Sequence, residues 1–293
     1  MTAFRYHTAG AWFKGNTHIH STASDGGLDF SQLAALYAGA GYHFLFRTDH
    51  WVTSDVSADP AVYPLLWLDG IELDGEDYSG TFYHAACLGR FEGIGDEVTF
   101  QQALELARAQ GGLTILAHPH WTGNTFDEAL KHSFDGVEVY NHVCQWMDGK
   151  GFGGVHWSAM LEARPNTLVF AADDTHYKPS DPGWNGGWIV VNAAECSRAA
   201  LMENIRHGNF YASTGPDFTA VEYDGQVVRV KTSPVKFIRL VGARWRCQKV
   251  IASEGSLLTE TEFAMPEPWQ GAYIQIEDDA RRMAWTNALF VEG

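Results

Sequence analysis

Between Gly15 and Gly208 the sequence alternates short apolar runs with helix-like stretches, and this limits the chain to few folds. Gly15–Ile19, His43–Thr48, Leu65–Leu73, Thr81–Leu88, Leu113–Ala117, Gly136–Tyr140, Thr167–Ala172 and Trp188–Asn192 read as strands. Several are short unbroken apolar runs, as expected of strands buried on both faces. Phe30–Ala40 reads as a helix with Asp29 and Ser31 as cap candidates, and Phe100–Gln110 as one stopped by Gly111 and Gly112. A stretch around His156–Ala163 and Arg198–His207, closed by Gly208, complete the helices. Strands alternating with helices predict parallel βα units, and about seven fit before residue 210, enough for a complete or distorted TIM-like barrel.

After Tyr211 the pattern changes. S-T-G-P (Ser213–Pro216) marks a boundary, and Ala220–Tyr223 and Gln226–Val230 flank Asp224-Gly225, a hairpin signal. Lys236–Val241, Gln248–Ala252, Thr259–Ala264, Tyr273–Glu277 and Leu289–Val291 continue the strands. The expected division is residues 1–212 as an α/β barrel and 213–293 as a small β-sandwich-like domain packed on it. A hydrophobic fraction of 45% is ample for these cores.

The formal charge of −16 argues against nucleic acid or an anionic membrane as partner, since both require basic patches. It leaves an anionic substrate open, because bound cations would reverse the local field. No apolar run approaches the roughly 20 residues of a membrane-spanning helix, and no signal peptide is evident. Cys87, Cys144, Cys196 and Cys247 lie far apart with no C-x-x-C pair, which suits reduced thiols in a cytoplasmic protein. Nothing in the sequence indicates an oligomeric state.

The chemistry gathers at the strand ends. His18 and His20 alternate along the first strand, so both imidazoles project from one side, and Asp25 follows in a turn. Later strands supply Asp49 and His50, Glu72, His84, His118 and His120, Glu138 and Asn141, then Asp174 and His176. Active sites of βα barrels lie at the C-terminal strand ends, and here nearly every end carries a ligand-type side chain. Imidazoles and carboxylates suit Zn, Mn or Fe.

T-H-I-H-S with S-D-G downstream, R-T-D-H, Glu72, Y-H-A-A-C-L, L-A-H-P, D-G-V-E-V-Y-N and D-D-T-H together resemble the PHP (polymerase and histidinol phosphatase) superfamily. H-G-N-F-Y-A-S-T-G-P and A-W-T-N-A-L-F are similar to its CehA/McbA branch, named for carbaryl and related carbamate hydrolysis. The resemblance implies a distorted (β/α)7 barrel with two or three divalent metals, followed by a C-terminal β-region. Carried over, His18 and His20 hold a first metal with Glu72 and Asp174. Glu72 bridges to a second metal on His84 and His118, and Asp25, His50 and His176 complete a third site. Such ions, about 3.5–4 Å apart, can share a hydroxide and clamp the oxyanion of an attacked phosphoryl or acyl group. No protein nucleophile is then required, and no G-x-S-x-G element is present.

Adjacent Asp173 and Asp174 point to opposite sides of a strand, and the resemblance of D-T-H to the family's D-x-H ending implies Asp174 as the ligand. Asp49 reads as orienting a ligand or capping a turn, Glu138 and Asn141 as lining groups, and His120 as substrate-facing or structural. His7, His43, His132, His142, His156 and His207 read as bland surface or core histidines, with His142 the first exception to consider, and Asp148 and Lys150 as solvated loop charges. A phosphoester needs cations near the metals, for which Arg47 and Lys178 are the candidates. Catalytic roles are thus expected of Glu72, Asp174, Arg47 and His120. A carboxylic or carbamate ester needs an aromatic pocket, for which Trp51, Trp121, Trp184 and Trp188 are available. The small-molecule substrate is read as a phosphoester first and a carboxylic or carbamate ester second, with a bulky or aromatic group accommodated. A third reading is an idle barrel that binds metal or carbohydrate.

Overall fold

The structure, a computed structural model, describes residues 2–95 and 97–292. β1 (Thr2–Phe4) and β2 (Ala11–Asn16) precede α1 (Phe30–Gly39), β3 (Phe44–Arg47), β4 (Leu66–Glu76) and β5 (Phe82–Leu88). Then come α2 (Phe100–Ala109), β6 (Leu113–Leu116), α3 (Pro119–Thr122), α4 (Phe126–Lys131), β7 (Gly136–Asn141), α5 (His142–Asp148) and α6 (Gly154–Ala163). β8 (Leu168–Ala172), β9 (Trp188–Ala193) and α7 (Arg198–His207) end the alternating part. The rest is strand: β10 (Phe210–Ser213), β11 (Phe218–Tyr223), β12 (Val227–Val235), β13 (Phe237–Val241) and β14 (Cys247–Ile251). β15 (Leu258–Ala264), β16 (Tyr273–Glu277), β17 (Met283–Thr286) and β18 (Phe290–Glu292) complete it.

Local chemistry accounts for many boundaries. Asp29 caps α1 in a capping box with Gln32, Thr99 does the same for α2 with Gln102, and Gly208 closes α7 in the left-handed region. Asp224 accepts from the amides of Gln226 and Val227, and Gly225 takes φ +97°, which turns β11 into β12.

Thirteen strands form one mixed sheet in the order β14-β13-β16-β17-β10-β9-β2-β3-β4-β5-β6-β7-β8. β2-β3-β4 and β6-β7-β8 are parallel, as the alternation predicts. β5 runs antiparallel because the turn at Asp77–Gly80, held by the Asp77 carboxylate, leaves room only for a hairpin partner to β4.

Two expectations are corrected. Among the described residues the sheet does not close into a barrel. β9 occupies the second edge of β2 along Ala11–Gly15, so β2 and β8 meet only beyond their ends, through one parallel bridge between Ile19 and Thr175. Nor do the later strands form a self-contained sandwich. β10 presents an open edge that β17 extends through Tyr211–Ser213, and β16, β13 and β14 follow in the same sheet. β11, β12 and β15 make a separate three-stranded sheet, and β1 pairs with β18. One apolar cluster joins Tyr6, Val190 and Tyr211 to Val228, Ile274 and Phe290, so early and late strands share a core.

Candidate metal centre

His18 and His20 lie just past β2, where the chain stays extended and hydrogen-bonds to the segment after β8: the His20 amide donates to Thr175 and the Asp174 amide to His18. The Ser21–Gly26 turn is pinned by Asp49, which accepts from the amides and hydroxyls of Ser21 and Ser24. Gly26 closes that turn where a Cβ would stand 2.3 Å from the His20 carbonyl oxygen. Asp49 therefore caps the ligand-bearing loop, and the Thr48 hydroxyl accepts from the Ile19 amide.

Several non-glycine residues at this end adopt positive φ, among them Trp51 (56°), His118 (27°), Asp174 (58°), Tyr177 (44°) and Asn185 (57°). Such backbone costs on the order of 1–3 kcal/mol per residue and persists where surrounding structure over-determines it.

The side chains converge on Glu72. Its buried carboxylate lies 3.1 Å from His18 Nε2, 3.2 Å from His20 Nε2, 3.2 Å from His50 Nδ1, 2.9 Å from His84 Nδ1 and 3.5 Å from His118 Nε2. Asp174 Oδ1 is 3.2 Å from His18 Nε2 and 3.0 Å from His20 Nε2. Asp25 lies 3.2 Å from His176 Nε2 and 3.7 Å from His20 Nδ1. Donor atoms fall into four groups within 4.8 Å: His18, His20, Glu72 and Asp174; His20, Asp25, His50 and His176; His50, Glu72 and His84; and His118, Cys144 and Asp174. The expected trio Glu72, His84 and His118 is thus spread over two groups, and Cys144 joins unexpectedly.

Outer contacts orient these ligands. Glu138 accepts from His18 Nδ1 at 2.8 Å and from the His118 amide at 2.9 Å. Asn141 donates to Glu138 and Asp174 while its oxygen caps α5 at the Cys144 amide. Asp74 holds His50 Nδ1 at 3.0 Å, and Thr122 meets His118 Nδ1 at 3.1 Å. The sequence gives Asp74 one signal: it follows Glu72 at i+2 and so shares its face. Asp173 serves elsewhere: its carboxylate accepts from Asn16, Tyr37 and the amides of Asn185, Gly186 and Gly187.

These residues suit divalent cations. His18 Nε2 and His20 Nδ1 are buried without a hydrogen-bond partner, although carboxylate oxygens stand close by, as donors aimed at a shared ion would. Burial would lower the His18 pKa, yet Asp174, Glu72 and Glu138 raise it well above the ordinary imidazole value. His20 is raised to about 9, its burial outweighed by hydrogen bonds to Asp174 and Glu72. Against their own burial, the imidazoles hold Glu72 and Asp174 well below the carboxylate range, His18 first in each case. The cluster thus attracts positive charge, which a metal would supply in place of protons.

Asp25, His50, Glu72, His84, His118, Asp174 and His176 line a cavity of about 310 Å³, while His18 and His20 are fully buried. Among the described residues, a larger groove of about 690 Å³ between α6 and the β13–β14 turn contains a single carboxylate, Glu162, and no imidazole.

Several sequence-derived candidates lie outside the cavity. Arg47 is corrected: it alternates with Phe46 and so faces the outer layer, where it pairs with Asp59 and stacks 3.9 Å over Phe30. His120 is exposed on α3, one residue past Pro119, and does not line the cavity. Lys178 pairs with Asp25 at 3.3 Å. Trp184 packs on Tyr37, Trp188 covers Lys14 and Trp51 joins the core, leaving Trp121 as the tryptophan among these four that lines the cavity. Asp148 is no free loop charge, because it accepts from Trp121 Nε1 at 2.8 Å. His132 pairs with Asp77 and His156 with the Asn124 carbonyl, both away from the cluster. Asp181, 3.6 Å from His176 Nδ1, lines the cavity and had no signal in the sequence beyond its charge.

No family model matches the chain, and no curated protein matches it. Among solved structures it resembles a two-domain protein from Bacteroides vulgatus containing a predicted PHP-like metal-dependent phosphoesterase. Identity is 14% and the TM-score 0.54, over 94% of this chain and 93% of that one. A protein from Bifidobacterium adolescentis assigned as a metal-dependent phosphoesterase matches at 14% identity and TM-score 0.46, over 66% of this chain and 96% of its own. An amidohydrolase from Chromobacterium violaceum with bound sulfate and no metal matches at 14% identity and TM-score 0.43, over 67% and 96%. The first likeness shows a shared fold along almost the whole chain; the other two superpose too loosely to add to it.

Proposed function

We propose that this protein is a metal-dependent hydrolase of the PHP type, acting on phosphoesters with two or three Mn, Fe or Zn ions. One observation carries the reading: a single buried carboxylate, Glu72, has five imidazoles within 3.5 Å. In this reading His18, His20, Glu72 and Asp174 hold one ion, Glu72, His84 and His118 a second, and Asp25, His50 and His176 a third. Bound divalent ions supply Lewis acidity and a water that ionises near neutral pH.

The chain's own residues do the rest. Glu138, bonded to His18 Nδ1, leaves Nε2 to ligate beside Glu72 and Asp174. Asn141 fixes Glu138 and Asp174 together, and Asp74 fixes His50. Cys144 is the thiol lining the cavity, and burial, with Asp174 next, pushes its pKa up. Residues 213–293 act in this scheme as a supporting β-region. The four cysteines are free, which suits a reducing cytoplasm. No helix among the described residues is long and apolar enough to cross a membrane.

Cleavage of a carboxylic or carbamate ester by the same centre is the second reading, favoured by one observation: among the described residues no lysine or arginine lines the cavity. Metal-reconstituted protein should bind about two or three ions per chain and turn over nitrophenyl phosphate or its diester faster than nitrophenyl acetate or an aryl carbamate. Faster acetate or carbamate cleavage selects the second reading, and less than one bound ion ends both. Glu138→Gln should weaken metal binding about 10–100-fold with an unchanged fold, read by competition with a chelator.

A further inference from the structure

β3, β4, the loop between them and α7 border a second, smaller cavity of about 110 Å³, lined by Arg47, Asp59, Tyr63, Trp67 and Arg198 among others. In a chain of formal charge −16, this cavity carries two guanidiniums and one carboxylate, a local excess of positive charge. Arg47 is only 7% exposed; it pairs with Asp59 and stacks over Phe30, yet its Nε is buried without a hydrogen-bond partner. The Trp67 indole, 2% exposed, likewise has no acceptor for Nε1. Arg198 is exposed at the start of α7. Among the described residues its one bond runs from Nε to the Trp67 carbonyl at 3.0 Å, and no carboxylate pairs with it. Asp59 therefore neutralises Arg47 and leaves the charge of Arg198 unmatched.

Buried N–H groups without acceptors are rare, because their desolvation is uncompensated. Two of them on one cationic cavity mark a place short of both acceptors and negative charge. The cavity's size narrows what could supply them. It exceeds the about 30 Å³ share of one water several-fold, yet falls well below the about 300 Å³ at which small-molecule pockets begin. A water molecule brings no charge, and a metal cation is repelled by the guanidiniums. A tetrahedral oxyanion brings acceptors in four directions, and guanidiniums bind such groups through paired N–H donors.

We infer that this cavity is a binding site for a small free oxyanion of the phosphate or sulfate class, held by Arg47, Trp67 and Arg198. It is separate from the metal centre, since none of the residues that line it also lines the 310 Å³ cavity. The inference does not rest on the hydrolase reading. A bound anion would tie α7 to the loop that follows His50, from which Asp59 and Tyr63 come, and so stabilise the fold by mass action.

The test follows the Trp67 indole N–H by proton–nitrogen NMR, with the resonance assigned through Trp67→Phe, as sulfate or inorganic phosphate replaces chloride at constant ionic strength. Metal-free and zinc-loaded protein are titrated alike, so that an anion bound at the metal centre is recognised by its dependence on zinc. Expected is a saturable shift with a Kd of about 1 mM or tighter in both forms, with a thermal midpoint that rises as sulfate is added. Arg198→Gln, at an exposed position where the fold should be kept, should weaken binding about tenfold or more. Glycerol phosphate, too bulky for this cavity, should bind at least about fivefold more weakly than inorganic phosphate. A shift that never saturates, or one that appears only with zinc, overturns the inference. So does equal affinity in Arg198→Gln, or glycerol phosphate binding as tightly as phosphate.

Discussion

Glu72→Gln should strip the centre of metal and abolish turnover while the protein stays folded. Glutamine keeps the volume but removes the charge that five imidazoles face. Loss of an outer partner costs about 10–100-fold in metal affinity, and loss of this carboxylate should exceed that because it serves more than one ion position. Elemental analysis after dialysis, with kcat on the best ester, reads the effect; circular dichroism checks the fold. Wild-type metal content with kcat within tenfold of wild type would show that Glu72 is not a bridging ligand.

The second large effect is expected one residue before a ligand. Asp173→Ala should unfold the protein well before wild type, although Asp173 is not among the grouped donors. Its carboxylate satisfies the Asn16 amide group, the Tyr37 hydroxyl and three backbone amides of the 185–187 turn. Each buried donor left without a partner costs about 1–3 kcal/mol, so a loss of at least about 3 kcal/mol should appear in urea denaturation. Asp174→Asn is the control: it should lose metal without a comparable loss of stability. A wild-type midpoint for Asp173→Ala would mean that water takes over these donors.

That neighbouring pair shows where sequence reasoning reaches its limit. Period-2 alternation says that Asp173 and Asp174 face opposite ways, and it is right about opposition. It cannot say which of them faces the cavity, because Asp174 adopts φ 58° and the partners of Asp173 come from residues as distant as Asn16. Arg47 fails for the same reason: its side of β3 is set by Phe46 packing inward and by Asp59 arriving from the following loop. The tryptophans behave alike, since an indole at a strand end reaches the cavity only where its loop folds over it, as α3 does for Trp121 and the 184–188 turn does not.

Local geometry controls the features that can be read from the residues alone. Side chains two apart share a strand face, an aspartate or threonine before an apolar run caps a helix, and Asp-Gly turns a hairpin. Strand ends rich in histidine and carboxylate were therefore legible, as were the caps at Asp29 and Gly208 and the turn at Asp224-Gly225. Tertiary structure alone decided which edges pair and which carboxylates meet which imidazoles. β9 occupies the edge a closed barrel would leave to β8, β10 hands the sheet on to the late strands, and Cys144 and Asp148 reach the cavity from α5. Those contacts join residues far apart in the chain, as His18 and Glu138 are. Their free energy depends on the packed whole, and no short window of sequence contains it.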